Sequence, residues 1–207
     1  MSFFNRDLSK EQIISEYLND LYYDLKLNFI RNKDLDLQLK GVDLIYQHKG
    51  TDFFIDEKAQ LDYINIELPT FTFELSYLKN GENKLGWLID QTKITTHYFL
   101  ITSIYAKDKN DLLKGFTSCK ITSVNRNKLN TYLNTIGLTI EQLNCYQNNI
   151  RKADNKKTKI KIDELNAKTQ GLLYYSNHLS EKPINLQLRL DFLIKKKIAK
   201  QIYPKAT

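Results

Sequence analysis

A chain of 207 residues is long enough for one domain of ordinary size with a sizeable core. Hydrophobic residues at 42% against charged residues at 27% give the balance of a folded chain and exclude intrinsic disorder, while a net charge of +7 and a pI near 9.2 favour an anionic partner. Two separated cysteines, Cys119 and Cys145, and three isolated histidines, His48, His97 and His178, leave a disulfide scaffold, a zinc ribbon and an HExxH protease without their ligands.

No apolar run approaches the ~20 residues that cross a bilayer, so the expectation is a cytoplasmic chain with no membrane contact. With 7 glycines, 3 prolines and no internal repeat, no flexible linker is marked, and residues 1–207 are expected to form a single folded unit. The first element is a helix over about Lys10–Lys26, opened by Ser9 with Gln12 three residues on. It carries Ile14, Tyr17, Leu18, Leu21 and Leu25 on one face, to pack on a sheet.

The segment 41–46 reads as a strand, followed by a polar loop over 47–51 and a second strand over 53–59, with a hairpin as the natural connection. Alternation over 70–75 predicts a third strand, and the aromatic and apolar run 96–101 a buried fourth, giving a mixed sheet. Residues 117–124 suit another strand. Asn125 then caps a helix with Leu129, Tyr132, Leu133 and Ile136 on one side and Gly137 at its end, and Thr139 caps the next helix to about Ile150. In the tail, Leu186, Leu188 and Leu190 alternate as a strand and Leu190, Ile194, Ile198 and Ile202 repeat as a helix, so strand then helix is expected.

Positive charge is concentrated in two places. Arg151, Lys152, Lys156, Lys157, Lys159 and Lys161 face the single acid Asp154, and Lys195, Lys196, Lys197, Lys200 and Lys205 crowd the end of the chain. Both stretches suit phosphate contacts, and Lys152, Lys156, Lys157 and Lys159 are the candidate nucleic-acid-binding residues.

An acid two positions before a lysine occurs four times, at Asp24, Asp56, Glu82 and Asp154, about as often as composition alone predicts. Context separates them. Asp24 and Lys26 fall in a helix, where residues two apart point in different directions, and the Glu82 and Asp154 pairs fall in polar, loop-like sequence. Asp56 and Lys58 alone fall on a strand. Strand alternation projects both from one face and sends Glu57 to the other, leaving its backbone carbonyl between them. Phe53, Phe54 and Ile55 precede them, so the charged pair stands at the end of a buried strand, where unpaired charge is costly. Asp43, in the apolar frame Val42-Asp43-Leu44-Ile45 of the preceding strand, brings a second carboxylate. Two carboxylates are hard oxygen ligands suited to Mg²⁺ or Mn²⁺, which keep positions for water and phosphate oxygens.

Gly41-Val42-Asp43 on one strand and Asp56-Glu57-Lys58 on the next, followed by Ala59-Gln60, resemble the motif of the PD-(D/E)XK nuclease superfamily. The resemblance covers about Glu11–Ile101. It implies a restriction-endonuclease-like α/β (α+β) core, a central mixed β-sheet flanked by helices, with a core motif region over about 9–103 and a basic helical and β C-terminal part over about 117–207. By resemblance, Asp43 and Asp56 bind the metal, Glu57 lends its carbonyl, and Lys58 orients the attacking water or stabilises the phosphorane. Gln60 matches a polar position seen in several members. Some members add a glutamate from the first helix, for which Glu16 is the candidate, although it lies roughly opposite the apolar face; Glu11 is angularly better placed. The proline of the motif is replaced by Val42. Arg31, before the first motif strand, is a candidate phosphate contact.

The expected activity is therefore Mg²⁺- or Mn²⁺-dependent hydrolysis of phosphodiester bonds in DNA, and resemblance implies 5′-phosphate and 3′-hydroxyl products. RNA is the alternative substrate, and a homodimer is the form that would cut both strands. The rival reading is a nucleic-acid-binding or assembly protein that keeps the nuclease fold without turnover.

Overall fold

A computed structural model describes residues 3–153 and 158–205, with side chains described from Lys10 onward. In chain order the elements begin with α1 (Phe3–Asp24), β1 (Phe29–Arg31), α2 (Leu35–Leu39), β2 (Leu44–His48), β3 (Thr51–Ala59), β4 (Thr70–Lys79), β5 (Glu82–Leu85), β6 (His97–Ala106) and β7 (Phe116–Asn125). They continue with α3 (Arg126–Thr135), α4 (Ile140–Lys152), β8 (Lys159–Ile160), β9 (Gly171–Tyr175), β10 (Ile184–Arg189), α5 (Leu190–Lys195) and β11 (Ala199–Tyr203). The architecture is mixed α/β. The chain divides into two compact units, one comprising Met1–Leu68, Thr95–Val124 and Lys200–Thr207, the other Pro69–Ile94 and Asn125–Ala199. Among the described residues no helix is long and apolar enough to cross a membrane.

The first unit is built on a six-stranded sheet of order β1-β2-β3-β6-β7-β11. It is mixed, because β1, β2 and β3 run antiparallel in succession whereas β3 and β6 pair in parallel, Ile55 opposite His97 through Ala59 opposite Ile101. The β2–β3 hairpin closes on two residues, Lys49 and Gly50, both at positive φ (50° and 77°). That backbone matches the twist of the strands, so the polar loop expected over 47–51 shrinks to a tight turn. One face of the sheet is covered by α1, whose Ile14, Leu18 and Tyr22 join Leu44, Ile55, Phe99, Ile101 and Ile121 in a single apolar cluster. The helix begins at Phe3, so Ser9 lies within it and is not its cap; no glycine or proline interrupts the residues before it.

The second unit holds a five-stranded antiparallel sheet of order β5-β4-β10-β9-β8. The strand at Thr70 therefore does not extend the sheet of β2 and β3; its alternating Phe71, Phe73 and Leu75 are buried in a sheet of its own. Trp87, half-buried, packs on the buried Phe73, ring centroids 5.4 Å apart. Helices α3 and α4 follow their sequence signals. The Asn125 side chain accepts from the Lys128 N–H and the Thr139 hydroxyl from the Gln142 N–H, each satisfying a helix-end donor. After β10 the tail forms a short helix and then a strand, since α5 ends at Lys195 and Ala199–Tyr203 pairs into the first unit's sheet as β11.

Candidate active site

The β2–β3 ladder ends in register at Leu44 opposite Ile55, while β3 runs on to Ala59 alongside β6. Past that point β3 has an open edge, and Asp43 occupies it. The Asp43 backbone N–H donates to the Ile55 carbonyl at 2.8 Å, and its Oδ2 accepts the Glu57 N–H at 2.7 Å. A side-chain carboxylate thus takes the place of the next ladder acceptor and is fixed beside β3. Because the N–H and C=O of one strand residue share an edge, the Glu57 carbonyl points to the Asp43 side as well.

The segment carrying Asp43 is braced from three directions. Gly41 adopts φ 78°, a region that suits glycine, at the turn out of α2. The Thr95 hydroxyl donates to the Gly41 carbonyl at 2.7 Å, and the buried Asn32 amide donates to the Val42 carbonyl at 2.8 Å. Buried carbonyls need such partners, and these hold the two residues that lead into Asp43.

Asp56 is 3% exposed and accepts from Lys58 Nζ at 2.6 Å, the two side chains leaving the same face of β3 two residues apart. Burial and the neighbouring Asp43 carboxylate raise the Asp56 carboxyl from its ordinary range to about 6, against the opposing pull of the Lys58 ammonium. Two carboxylates therefore lie close enough to repel, with one cation offsetting part of the cost.

On the opposite face Glu57 enters a network that sequence reasoning missed. It accepts from the Tyr22 hydroxyl at 2.6 Å and from Arg31 Nη1 at 2.5 Å, while Arg31 Nε donates to Asn19 Oδ1 at 2.7 Å. Burial lifts the Glu57 carboxyl, and Arg31 and Tyr22 oppose that rise. This network ties α1, β1 and β3 together behind the Asp56–Lys58 pair. Arg31, a candidate for a phosphate contact or for a plain surface arginine, is neither in this arrangement: it donates to Glu57 and Asn19. The one available signal was alternation, which sends Glu57 toward the helix; its partners are too distant in sequence to be inferred.

Of the remaining candidates, Gln60 lies just past the end of β3, donates its N–H to the Ile101 carbonyl at 3.0 Å and opens a 3-10 turn over Leu61–Tyr63. Glu16 is exposed on α1 and accepts from Gln12 Nε2 at 3.2 Å. Its helix packs on the Ile55 face of the sheet, and Asp56 and Lys58 leave the other face, so the structure does not bring Glu16 to them. Glu11, the alternative on the same helix, is also exposed.

Lys152, at the end of α4, and Lys159, in β8, are exposed in the second unit and form no ion pair among the described residues. Lys156 and Lys157 lie outside the described residues. Arg151 leaves the basic run, because Nη2 donates to Ser76 Oγ at 2.9 Å and ties α4 to β4.

Among the described residues no group of three or more His, Cys, Asp and Glu side chains is arranged to hold a metal ion. An ion at this site would rest on Asp43, Asp56 and the Glu57 carbonyl, with water and phosphate oxygens completing its shell. That donor set fits Mg²⁺, which binds through one or two carboxylates and keeps several waters. The Asp56 carboxyl, raised chiefly by burial and further by Asp43, also suits a cation, since positive charge between the two acids would offset both effects. Comparison with protein-family models, curated proteins and solved structures finds no match for the chain.

Proposed function

We propose that this chain is a metal-dependent nuclease of the PD-(D/E)XK type, with a restriction-endonuclease-like core in its first unit, hydrolysing phosphodiester bonds in DNA. The observation that carries the reading is the convergence of Asp43 and Asp56 from consecutive strands, with Lys58 Nζ 2.6 Å from Asp56 and Glu57's N–H on Asp43. The basic charge of +7 supports a polyanionic substrate.

Asp43, Asp56 and the Glu57 carbonyl would hold Mg²⁺ or Mn²⁺. When bound, such an ion supplies Lewis-acid polarisation of a phosphate oxygen and acidifies a water. Asp43 brings a carboxylate whose position is fixed by the Glu57 N–H, so it needs no rearrangement to bind. Lys58, with 31% of its side chain exposed, keeps its ammonium at the solvent edge of the buried Asp56. From there the ammonium would place positive charge beside the metal site, to orient an incoming water or to stabilise charge on the phosphoryl oxygens. The Tyr22–Glu57–Arg31 network fixes β3 from behind and so keeps Asp56 and Lys58 in register with Asp43.

The test is cleavage of end-labelled DNA and RNA of the same sequence in Mg²⁺, with Lys58→Ala alongside. The reading expects DNA to be cut, the products to carry 5′-phosphates, and the variant to lose at least about a hundredfold in rate. RNA cut in preference to DNA would move the substrate class. Salt-sensitive DNA binding with no cleavage of either polymer would favour the binding protein without turnover.

A further inference from the structure

The second unit carries a concentration of positive charge outside the candidate active site and distinct in sequence from Lys152, Lys156, Lys157 and Lys159; it includes part of the C-terminal lysine run. Lys128, on α3, and the run Lys195-Lys196-Lys197, at the end of α5, are far apart in the chain and meet at one surface. Lys128 Nζ donates to the Lys197 carbonyl at 3.4 Å, and Lys196 Nζ stands 5.3 Å from the centroid of Tyr132, two thirds of the way along α3. Beneath them Tyr132 packs edge-on to Phe192 of α5, centroids 5.7 Å apart, so the helices that present the lysines are held by buried contact. All four lysines are exposed.

Local structure accounts for only part of this charge. A cation near the C-terminus of a helix complements its dipole, and Lys128, bonded to the Lys197 carbonyl two residues past α5, already supplies one near that end. Lys196 gains from the Tyr132 face. Nothing comparable holds Lys195 and Lys197, and no acid neutralises the group: none of the four forms an ion pair among the described residues, and Asp191 at the start of α5 is engaged by Arg189 at 3.0 and 3.1 Å. Four like charges are thereby gathered on packed helices at a cost in mutual repulsion, which a phosphate backbone would reverse.

We propose that Lys128, Lys195, Lys196 and Lys197 form a phosphate-binding surface for double-stranded DNA. The choice of DNA as the polyanion rests on the nuclease reading; the convergence of charge does not. The surface positions the duplex by its backbone and reads no bases, so its contribution is independent of sequence.

The experiment is fluorescence anisotropy of a labelled 30-bp duplex with the full chain in EDTA, between about 50 and 300 mM KCl, a range over which phosphate contacts dominate affinity. The wild type is compared with Lys128→Gln/Lys195→Gln/Lys196→Gln/Lys197→Gln and with a control of equal charge change, Lys33→Gln/Lys40→Gln/Lys107→Gln/Lys109→Gln. Each lost phosphate contact lowers the slope of log affinity against log salt by about 1, so the quadruple variant should lose about 4 from the slope and at least about tenfold in affinity near 0.1 M salt. The control should change little, and the quadruple variant should remain folded at the temperature of the assay, because relief of repulsion works against the loss of the Lys128 hydrogen bond and the Lys196–Tyr132 contact. The double variant Lys195→Gln/Lys197→Gln spares both the Lys128 hydrogen bond and the Lys196–Tyr132 contact and should lose about 2 from the slope.

No binding by the wild type, an unchanged slope, or an equal loss in the control would overturn the proposal. So would loss of binding to vesicles containing phosphatidylserine with DNA affinity intact, which would make the partner a membrane surface. Binding in EDTA needs neither metal nor Asp56, so a chain that binds through this surface but cuts nothing would uphold the proposal while the nuclease reading fails.

Discussion

Asp56 concentrates the chemistry of the candidate site in one side chain. It is buried, it borders a second carboxylate, and its carboxyl is raised from 3.8 to about 6. A raised carboxyl binds its proton more tightly in the folded than in the unfolded chain, so its contribution to stability is complete below about pH 4 and is lost as pH rises through about 6. A rise of that size corresponds to roughly 3 kcal/mol at neutral pH. Asp56→Asn removes the titration, and the difference in unfolding free energy between variant and wild type, measured in urea at pH 4 and pH 7, should grow by about that amount in the variant's favour. An unchanged difference would show that Asp56 does not hold its proton as described. A cation between the acids would offset the same repulsion, so Mn²⁺ at millimolar concentration should raise the melting temperature of the wild type at pH 7.5, and chelation should reverse it. Asp43→Asn and Asp56→Asn should show neither effect. Placement of Asp56 and Lys58 on one face was legible because strand alternation is a local rule. The partners of Glu57 were not, since Tyr22 and Arg31 reach it only after α1 has packed on the sheet and β1 has paired with β2.

At the scale of elements, the site depends on how β3 is clamped between a braced segment at Asp43 and the α1 side. Arg31→Ala leaves the Glu57 carboxylate, 10% exposed, without its cation, and should destabilise the fold by roughly 3 kcal/mol. Replacing both partners by apolar residues, Arg31→Met with Glu57→Leu, should recover most of that loss in chemical denaturation. A double variant as unstable as the single one would mean that the pair does more than neutralise itself. Thr95→Val removes the donor to the buried Gly41 carbonyl and should cost about 1–3 kcal/mol, with DNA cleavage falling further than stability alone explains if Asp43 loosens. Elements with strong internal signals, α1, β2, β3, β6, β7, α3 and α4, were legible from periodicity and caps. The short pieces β1, α2, β5, β8 and β11 were not, because segments of 2 to 5 residues carry too little pattern and form only through pairing or capping supplied by the rest of the fold.

For the whole molecule, the mixed α/β class was legible, and the partition of its strands was not. Alternation in Thr70–Lys79 identifies a strand with one buried face but says nothing about which strand it pairs with, and β10, more than a hundred residues later, is its partner. Of the motif region over about 9–103, residues 69–94 belong to the second unit, while Asp43, Asp56 and Lys58 fall in the first, on adjacent strands as the hairpin reading required. Charge follows another logic at this scale: the lysine run at the chain's end gains meaning only when Lys128 is seen to meet it, a juxtaposition that no spacing announces.

The most direct measurement is the conversion of supercoiled plasmid by the purified chain in Mg²⁺, Mn²⁺ and EDTA, beside Asp56→Ala prepared identically. Nicking or linearisation that requires the metal and is lost in the variant is the result expected of a site built from Asp43, Asp56 and Lys58. Cleavage that survives in Asp56→Ala would contradict it, as would a wild type that binds the plasmid and leaves it intact in either metal.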